Sequence, residues 1–213
     1  MNTESTKDST EVKNTTEETH SQPAVGGYLS GSALLKQIYS AESPEQFLRA
    51  LPAQTAYLVV KQVGVQSSAD LIEMMSLEQC RLLYDFDLWQ ADSFHEDNFW
   101  AWLEIPDHQD RKDLSLLAKF VKSLDLKILS IIIQRHVQYL VNEEPTETPP
   151  EEGWISPDKG HSWIKITVEN EHHRFLLGRL LALIFEMDPE LYYQLFGIPQ
   201  VATPSMLEED SFN

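Results

Sequence analysis

The stretch SPEQFLRALPAQTAYLVVKQVGVQSSADLIEMMSLEQCRLLYDFDLW, residues 43–89, decides the fold class. It contains two segments of one type, SPEQ at residues 43–46 and SLEQ at residues 76–79. A serine followed three residues later by glutamine is the pattern of a capping box, in which both side chains bind free backbone N–H groups at a helix start. Because apolar residues then follow at helical spacing, the stretch predicts short helices joined as hairpins.

The spacing of these two capping segments suggests a repeat. They begin 33 residues apart, which is typical of stacked helical hairpins. Capping sequences also occur in many unrelated helices, so a chance match explains the pair equally well. Both interpretations stay open from the sequence.

Helical patterns continue outward from this stretch. Residues 113–123 are amphipathic, and residues 126–141 are apolar nearly all round, which predicts a central helix. Residues 154–168 alternate around a Pro-Asp-Lys-Gly turn, which predicts a β-hairpin, and helical spacing returns over residues 170–196. The sequence thus predicts a mainly α fold of stacked helical hairpins, α-solenoid-like, with one small β-hairpin near residues 154–168.

Composition divides the chain into five parts. The ends are rich in polar and acidic residues, and the segment EEPTETPPEE combines proline with acid in a way that excludes helix and strand. The predicted parts are a disordered acidic tail at 1–27, a helical-hairpin domain at 28–142, an acidic Pro-rich linker at 143–153, a β-hairpin with a helix pair packing on the same domain at 154–197, and a loose acidic tail at 198–213.

The charge of the chain limits the classes of partner that we expect it to bind. There are 34 acidic and 16 basic residues, a formal net charge of −18. Such a chain repels nucleic-acid phosphates and anionic lipid surfaces, so a nucleic-acid partner is not expected. No apolar run approaches the roughly 18 residues of a membrane span, and the N-terminus lacks the features of a secretory signal, so we expect no membrane insertion and a cytoplasmic location.

The sequence contains few patterns that indicate chemistry. It lacks a Gly-rich phosphate loop, a GxSxG elbow, HExxH and CxxC, and its one cysteine, Cys80, lies among apolar residues on a predicted helix. We therefore expect no cofactor and favour a protein that is not an enzyme. The alternative is a metal site near His161, Glu169 and His172. Glu169 and His172 share one face of a helix start, as in di-iron proteins, although solvated helix-start residues have the same spacing.

One cluster of aromatic residues stands among acids. Its members are Trp89, Phe94, Phe99, Trp100 and Trp102. Aromatic side chains bury large areas both in cores and in interfaces. The cluster therefore predicts either a second small core or a partner-binding groove whose acidic rim would suit a basic amphipathic helix.

The central stretch resembles a bacterial family of unknown function. The resemblance rests on a Leu-Pro helix start at residues 51–52, Ser76 with the Glu-Gln pair at 78–79, the Leu-Leu pair at 82–83, and Asp85 with Trp89. The same pattern looks like the N-terminal superhelical domain of MgtE-type magnesium transporters, without their transmembrane part. This resemblance implies a helical-repeat fold and adds nothing on chemistry, since the family has no assigned catalytic residues.

These observations lead to one main hypothesis on function and two alternatives. The main hypothesis is a non-enzymatic helical module for protein–protein interaction or regulation, with another protein as its partner. The first alternative is a metal-dependent enzyme or metal-binding protein that uses His161, Glu169 and His172. The second is a secreted bacterial effector, which the predicted disordered ends would permit.

Overall fold

The computed structural model describes residues 31–91, 93–108 and 114–197. Its helices are α1 (Gly31–Ser40), α2 (Pro44–Ala50), α3 (Ala53–Val63), α4 (Ala69–Met74), α5 (Leu77–Leu88), α6 (Glu96–His108), α7 (Ser115–Ser123), α8 (Leu126–His136), α9 (Glu171–Met187) and α10 (Pro189–Gly197). Its strands are β1 (Trp89–Gln90), β2 (Ser93–Phe94), β3 (Val137–Val141) and β4 (Ser162–Ile166). The mainly helical class is confirmed. The tails predicted at 1–27 and 198–213 lie outside the described residues.

The two capping segments behave differently. Before α5, the Ser76 hydroxyl accepts from the Gln79 backbone N–H at 3.1 Å, and the Gln79 side-chain oxygen accepts from the Ser76 N–H at 3.0 Å. The Gln79 amide also donates to the carbonyls of Leu48 and Leu51 at the end of α2. Ser43 makes no such bond, so the capping box predicted there is wrong.

The helical repeat stays a prediction. The helix that follows the first capping segment has seven residues, whereas the helix that follows the second has twelve. The two segments therefore open elements of different length, as expected if a common capping sequence occurs twice by chance.

The strand pairing differs from the predicted hairpin. The helix predicted for residues 126–141 ends at His136, and the chain continues as β3, which pairs antiparallel with β4 from Val137↔Ile166 to Val141↔Ser162. Within residues 154–168, only Ile155 bridges to β4, at Ile164. A short apolar run does not distinguish a buried helix from a strand by periodicity, and for this reason the helix predicted over 126–141 is wrong beyond His136.

One hydrophobic core joins the described residues, from Leu34 in α1 to Leu195 in α10. Helix α8 lies within it and buries six consecutive residues, 128–133, as its all-round apolar sequence predicts. Helix α9 adds Leu177 and Leu180 to this core, so the elements after the acidic linker pack with those before it. No helix in the described ranges is both long and apolar enough to cross a membrane.

The acidic linker returns to the loop before β4. Its side chains are mostly exposed, and the Thr146 N–H donates to the Gly160 carbonyl at 3.2 Å. Gly160 has φ +92°, and a Cβ at this position would lie 2.0 Å from the Thr146 oxygen. Only glycine fits this contact, which holds the linker beside the small sheet.

Candidate functional site

The predicted aromatic cluster divides between core and surface. Phe99, Trp100 and Trp102 are buried in the core. Trp89 and Phe94 are half-buried and face each other across the β1–β2 ribbon, with ring centroids 5.6 Å apart. The positions of the first three support the interpretation as a core. A partner contact for Trp89 and Phe94 stays a prediction.

A buried carboxylate, Asp87 in α5, explains why Trp102 lies inside. Trp102 Nε1 donates to Asp87 Oδ2 at 2.8 Å, while Tyr57 Oη and Lys61 Nζ donate to Oδ1 at 3.1 and 2.7 Å. Asn98 donates to the Asp87 backbone carbonyl at 2.7 Å. The Asp87 side chain is 5% exposed, and a buried charge persists only with such partners. The group joins α3, α5 and α6 and has a structural role.

A second polar cluster surrounds Trp100. Its indole donates to Glu96 Oε1 at 3.1 Å, and it stacks on His173 of α9 with centroids 4.4 Å apart. Glu96 Oε1 also lies 2.6 Å from His136 Nε2, and Arg135 donates to Oε2 at 3.2 Å. Burial raises the pKa of Glu96, but the bonds from His136, Trp100 and Arg135 outweigh it and lower the pKa overall.

This Trp100 cluster has limited chemical capacity. A histidine–carboxylate pair can accept a proton, as a general base does. The other groups in contact with Glu96 are an indole and a guanidinium, and neither is a nucleophile. The described contacts hold α6, the end of α8 and α9 together.

The residues of the metal alternative do not converge. His161, Glu169 and His172 are all exposed. Within the described ranges, no three His, Cys, Asp or Glu side chains lie close enough together to hold a metal ion. Asn170 caps α9 by accepting from the backbone N–H groups of His172 and His173. The arrangement supports solvated helix-start residues, and nothing in it supports the metal site.

Cys80 is a packing residue in the structure. Its side chain is buried, and burial raises the pKa of the thiol to about 11. The nucleophilic form of cysteine is the thiolate, which is scarce at neutral pH when the pKa is raised.

A shallow groove, here called the β4–α9 groove, opens between the strand and the helix. Its volume is about 420 Å³. Its lining includes Ile166 and two small residues, Gly178 and Ala182, which are here called its floor. Ile155, 53% exposed, and Phe175, 46% exposed, stand beside that floor.

Two arginines on α9 also line the groove. Arg179 Nη1 lies 2.6 Å from Asp107 Oδ1, and its guanidinium carbon is 5.8 Å from the Phe175 ring centroid. Arg174 donates from Nε and Nη2 to the Val168 carbonyl at 3.0 and 2.8 Å. The described lining of the groove includes no carboxylate.

Sequence reasoning missed both the buried charge and the groove. The sequence YDFDLW places Asp87 among apolar residues, but it does not reveal that Tyr57, Lys61 and Trp102 reach it from other helices. The signal for the groove is Gly178 in the interior of α9, because a glycine costs stability at such a position.

The described residues thus define a mainly helical protein with one hydrophobic core and two small antiparallel sheets. The sequence model of the family of unknown function DUF6178 matches residues 24–213, so the chain belongs to that family. Comparison with curated proteins and with solved structures gave no match. The likeness to the transporter domain stays a prediction.

Proposed function

We propose that this chain is a non-enzymatic protein-interaction module whose β4–α9 groove binds an apolar segment of another protein. The observation that carries the proposal is the exposure of Ile155 beside a floor of small side chains. Exposed apolar surface that is contiguous and bordered by charge is typical of binding sites. An open, shallow groove suits a peptide segment better than a small ligand, which binding sites usually enclose.

Gly178 supports the groove as a site for an outside segment. A Cβ at this position would meet Ile166 Cδ1 at 3.5 Å, an ordinary contact, so packing within the described chain does not require glycine. Glycine in a helix interior costs about 1 kcal/mol relative to alanine. Its absent side chain leaves the floor open to a partner.

A second pocket of about 360 Å³ says less about the kind of partner that it could bind. It lies where α7 and α8 meet α9 and α10, and its charged lining residues are Lys122 and Asp188. Because these charges are of opposite sign, they indicate no preferred partner. The β4–α9 groove, with only basic charges in its described lining, is the stronger candidate.

The test is a selection of linear peptides on the full chain, by phage display, followed by binding measurements with labelled synthetic peptides. Selected peptides should be apolar and should bind Gly178→Leu at least about tenfold more weakly, since the leucine fills the floor. Leu58→Gln is the matched control, because Leu58 is 65% exposed on α3, away from the groove. It should leave binding unchanged.

The folding of Gly178→Leu must be checked by circular dichroism. We expect a folded variant, since leucine is a better helix former than glycine and a Cβ at this position makes only an ordinary contact. A failure to select any peptide would contradict the proposal, as would selected peptides that bind wild type and Gly178→Leu equally.

A further inference from the structure

We infer that the segment bound in the β4–α9 groove has a carboxylate beside its apolar residues, and that Arg174 pairs with this carboxylate. The inference rests on the proposed function. It identifies the chemistry of the partner: an acidic, apolar segment of another protein. This partner has the opposite charge to the basic helix that the aromatic cluster had suggested.

Arg174 has a charge that the described chain does not neutralise. It is exposed, and its guanidinium bonds only the Val168 carbonyl, a neutral acceptor. No described carboxylate lies within ion-pair distance of it, including Glu171 one turn earlier on α9. In a chain with 34 acidic and 16 basic residues, such an arginine beside an apolar groove marks a place for a negative charge.

The other basic residues near the groove are already paired. Arg179 bonds Asp107, and its side chain is only 17% exposed. Lys165, whose Cε would lie 3.9 Å from a Cβ at Gly153, is 3.4 Å from Glu151. Arg174 is therefore the residue beside the groove whose positive charge remains for a partner.

The geometry favours a carboxylate over a neutral acceptor. Two bonds to Val168 hold the guanidinium in place, while Nη1 has no hydrogen bond within the described residues. A fixed guanidinium loses little freedom when it binds, and its bonds to carboxylates are roughly twice as strong as neutral ones. The same charge repels a basic segment, which makes the groove selective.

The experiment pairs an acidic peptide selected on the full chain with its amide version, Asp→Asn or Glu→Gln. Fluorescence anisotropy measures both peptides on wild type, Arg174→Gln and Arg174→Lys. For the acidic peptide, Arg174→Gln should weaken binding by about tenfold, and Arg174→Lys by less. The amide peptide should bind wild type about as weakly as the acidic peptide binds Arg174→Gln. Arg81→Gln, at an exposed arginine on α5, should change neither.

The two proposals fail in different ways. If selected peptides lose binding to Gly178→Leu but not to Arg174→Gln, or if the amide peptide binds equally well, the carboxylate is wrong and the groove stands. If peptides are indifferent to Gly178→Leu, or if none is selected, both proposals fall. The urea midpoint of Arg174→Gln shows whether the variant is folded. Arg174→Lys keeps the positive charge but lacks the guanidinium that bonds to Val168, so it distinguishes the effect of the charge from the effect of these bonds.

Discussion

The surroundings of Asp87 and the β4–α9 groove differ in the size of the side chains that form them. Around Asp87, large rings fill the interior: Tyr84 meets Trp102 edge to face at 5.2 Å and Phe120 at 5.0 Å. In the groove, glycine and alanine leave space. The ring-rich stretch of sequence suggests a binding surface, yet Phe99, Trp100 and Trp102 are enclosed, and Trp89 and Phe94 are half-buried. The less conspicuous stretch holds the exposed apolar surface of the groove.

This contrast has a physical cause. Aromatic rings bury the most apolar area, and the indole N–H of Trp102 finds its acceptor inside, on Asp87. Exposed rings bring no such gain. A groove is made by omitting side chains, so a site of this kind is marked by small residues rather than by large ones.

The contrast between these two regions would fail first if Asp87 proved unnecessary for the stability of the fold. We expect Asp87→Ala to lower the free energy of unfolding by roughly 3 kcal/mol, because it leaves the buried donor of Trp102 without an acceptor. Lys61 contributes less, since its side chain is 43% exposed and can turn to water. Urea denaturation followed by circular dichroism measures the change.

Asp85→Ala is the control for this prediction. Asp85 lies two residues earlier on α5, and burial raises its pKa, so the folded state gives its charged form no net stabilisation. Its loss should change the free energy of unfolding by less than about 1 kcal/mol. Equal losses in the two variants would show that Asp87 has no special place in the core.

How much of this contrast the sequence predicts depends on how local each feature is. The capping box of Ser76 and Gln79 is local and is formed, whereas the box predicted at Ser43 is not, because that serine makes no cap bond. The bonds from Gln79 to Leu48 and Leu51 need α2 to end beside α5. Capping patterns report on one helix start and are silent about such neighbours.

The strands and the groove show the same limit. Residues 137–141 pair with β4 across the acidic linker, and the two segments are too far apart in sequence for a short hairpin turn to predict their pairing. Within β4, the alternation predicted a strand correctly, but not its partner. The groove depends on Ile155 and Gly178, which come together from separate segments of the chain. The sequence shows each residue but does not predict that they lie side by side.

Gly178→Ala tests the groove by a gain in stability, whereas Asp87→Ala tests the core by a loss. We expect the free energy of unfolding to rise by about 0.5–1 kcal/mol, since alanine stabilises a helix interior and its Cβ has room above Ile166. The reverse change at a neighbouring floor residue, Ala182→Gly, should lower it by a similar amount. A loss of stability in Gly178→Ala would mean that the fold itself requires the glycine.

The smallest expected effect concerns acid, which should affect the two regions differently. The described lining of the groove contains no carboxylate that acid could protonate. At the edge of the ring-rich region, burial raises the pKa of Glu96, but the bonds from His136, Trp100 and Arg135 lower it by more. The pKa of Glu96 therefore lies below its ordinary value of 4.5. A lowered folded pKa contributes stability that is complete above the ordinary value and is lost as pH falls through the folded value.

Wild type should therefore lose more stability than Glu96→Gln as the pH falls from 7 to below about 4.5, where Glu96 takes up its proton. Urea midpoints of the two proteins at pH 7 and pH 4 give the double difference, in which the general effect of acid cancels. Parallel losses in the two proteins would mean that these bonds do not favour the charged carboxylate. Trp100 would then be held mainly by its stacking on His173 and by burial, as the apolar groove would hold a partner mainly by contact.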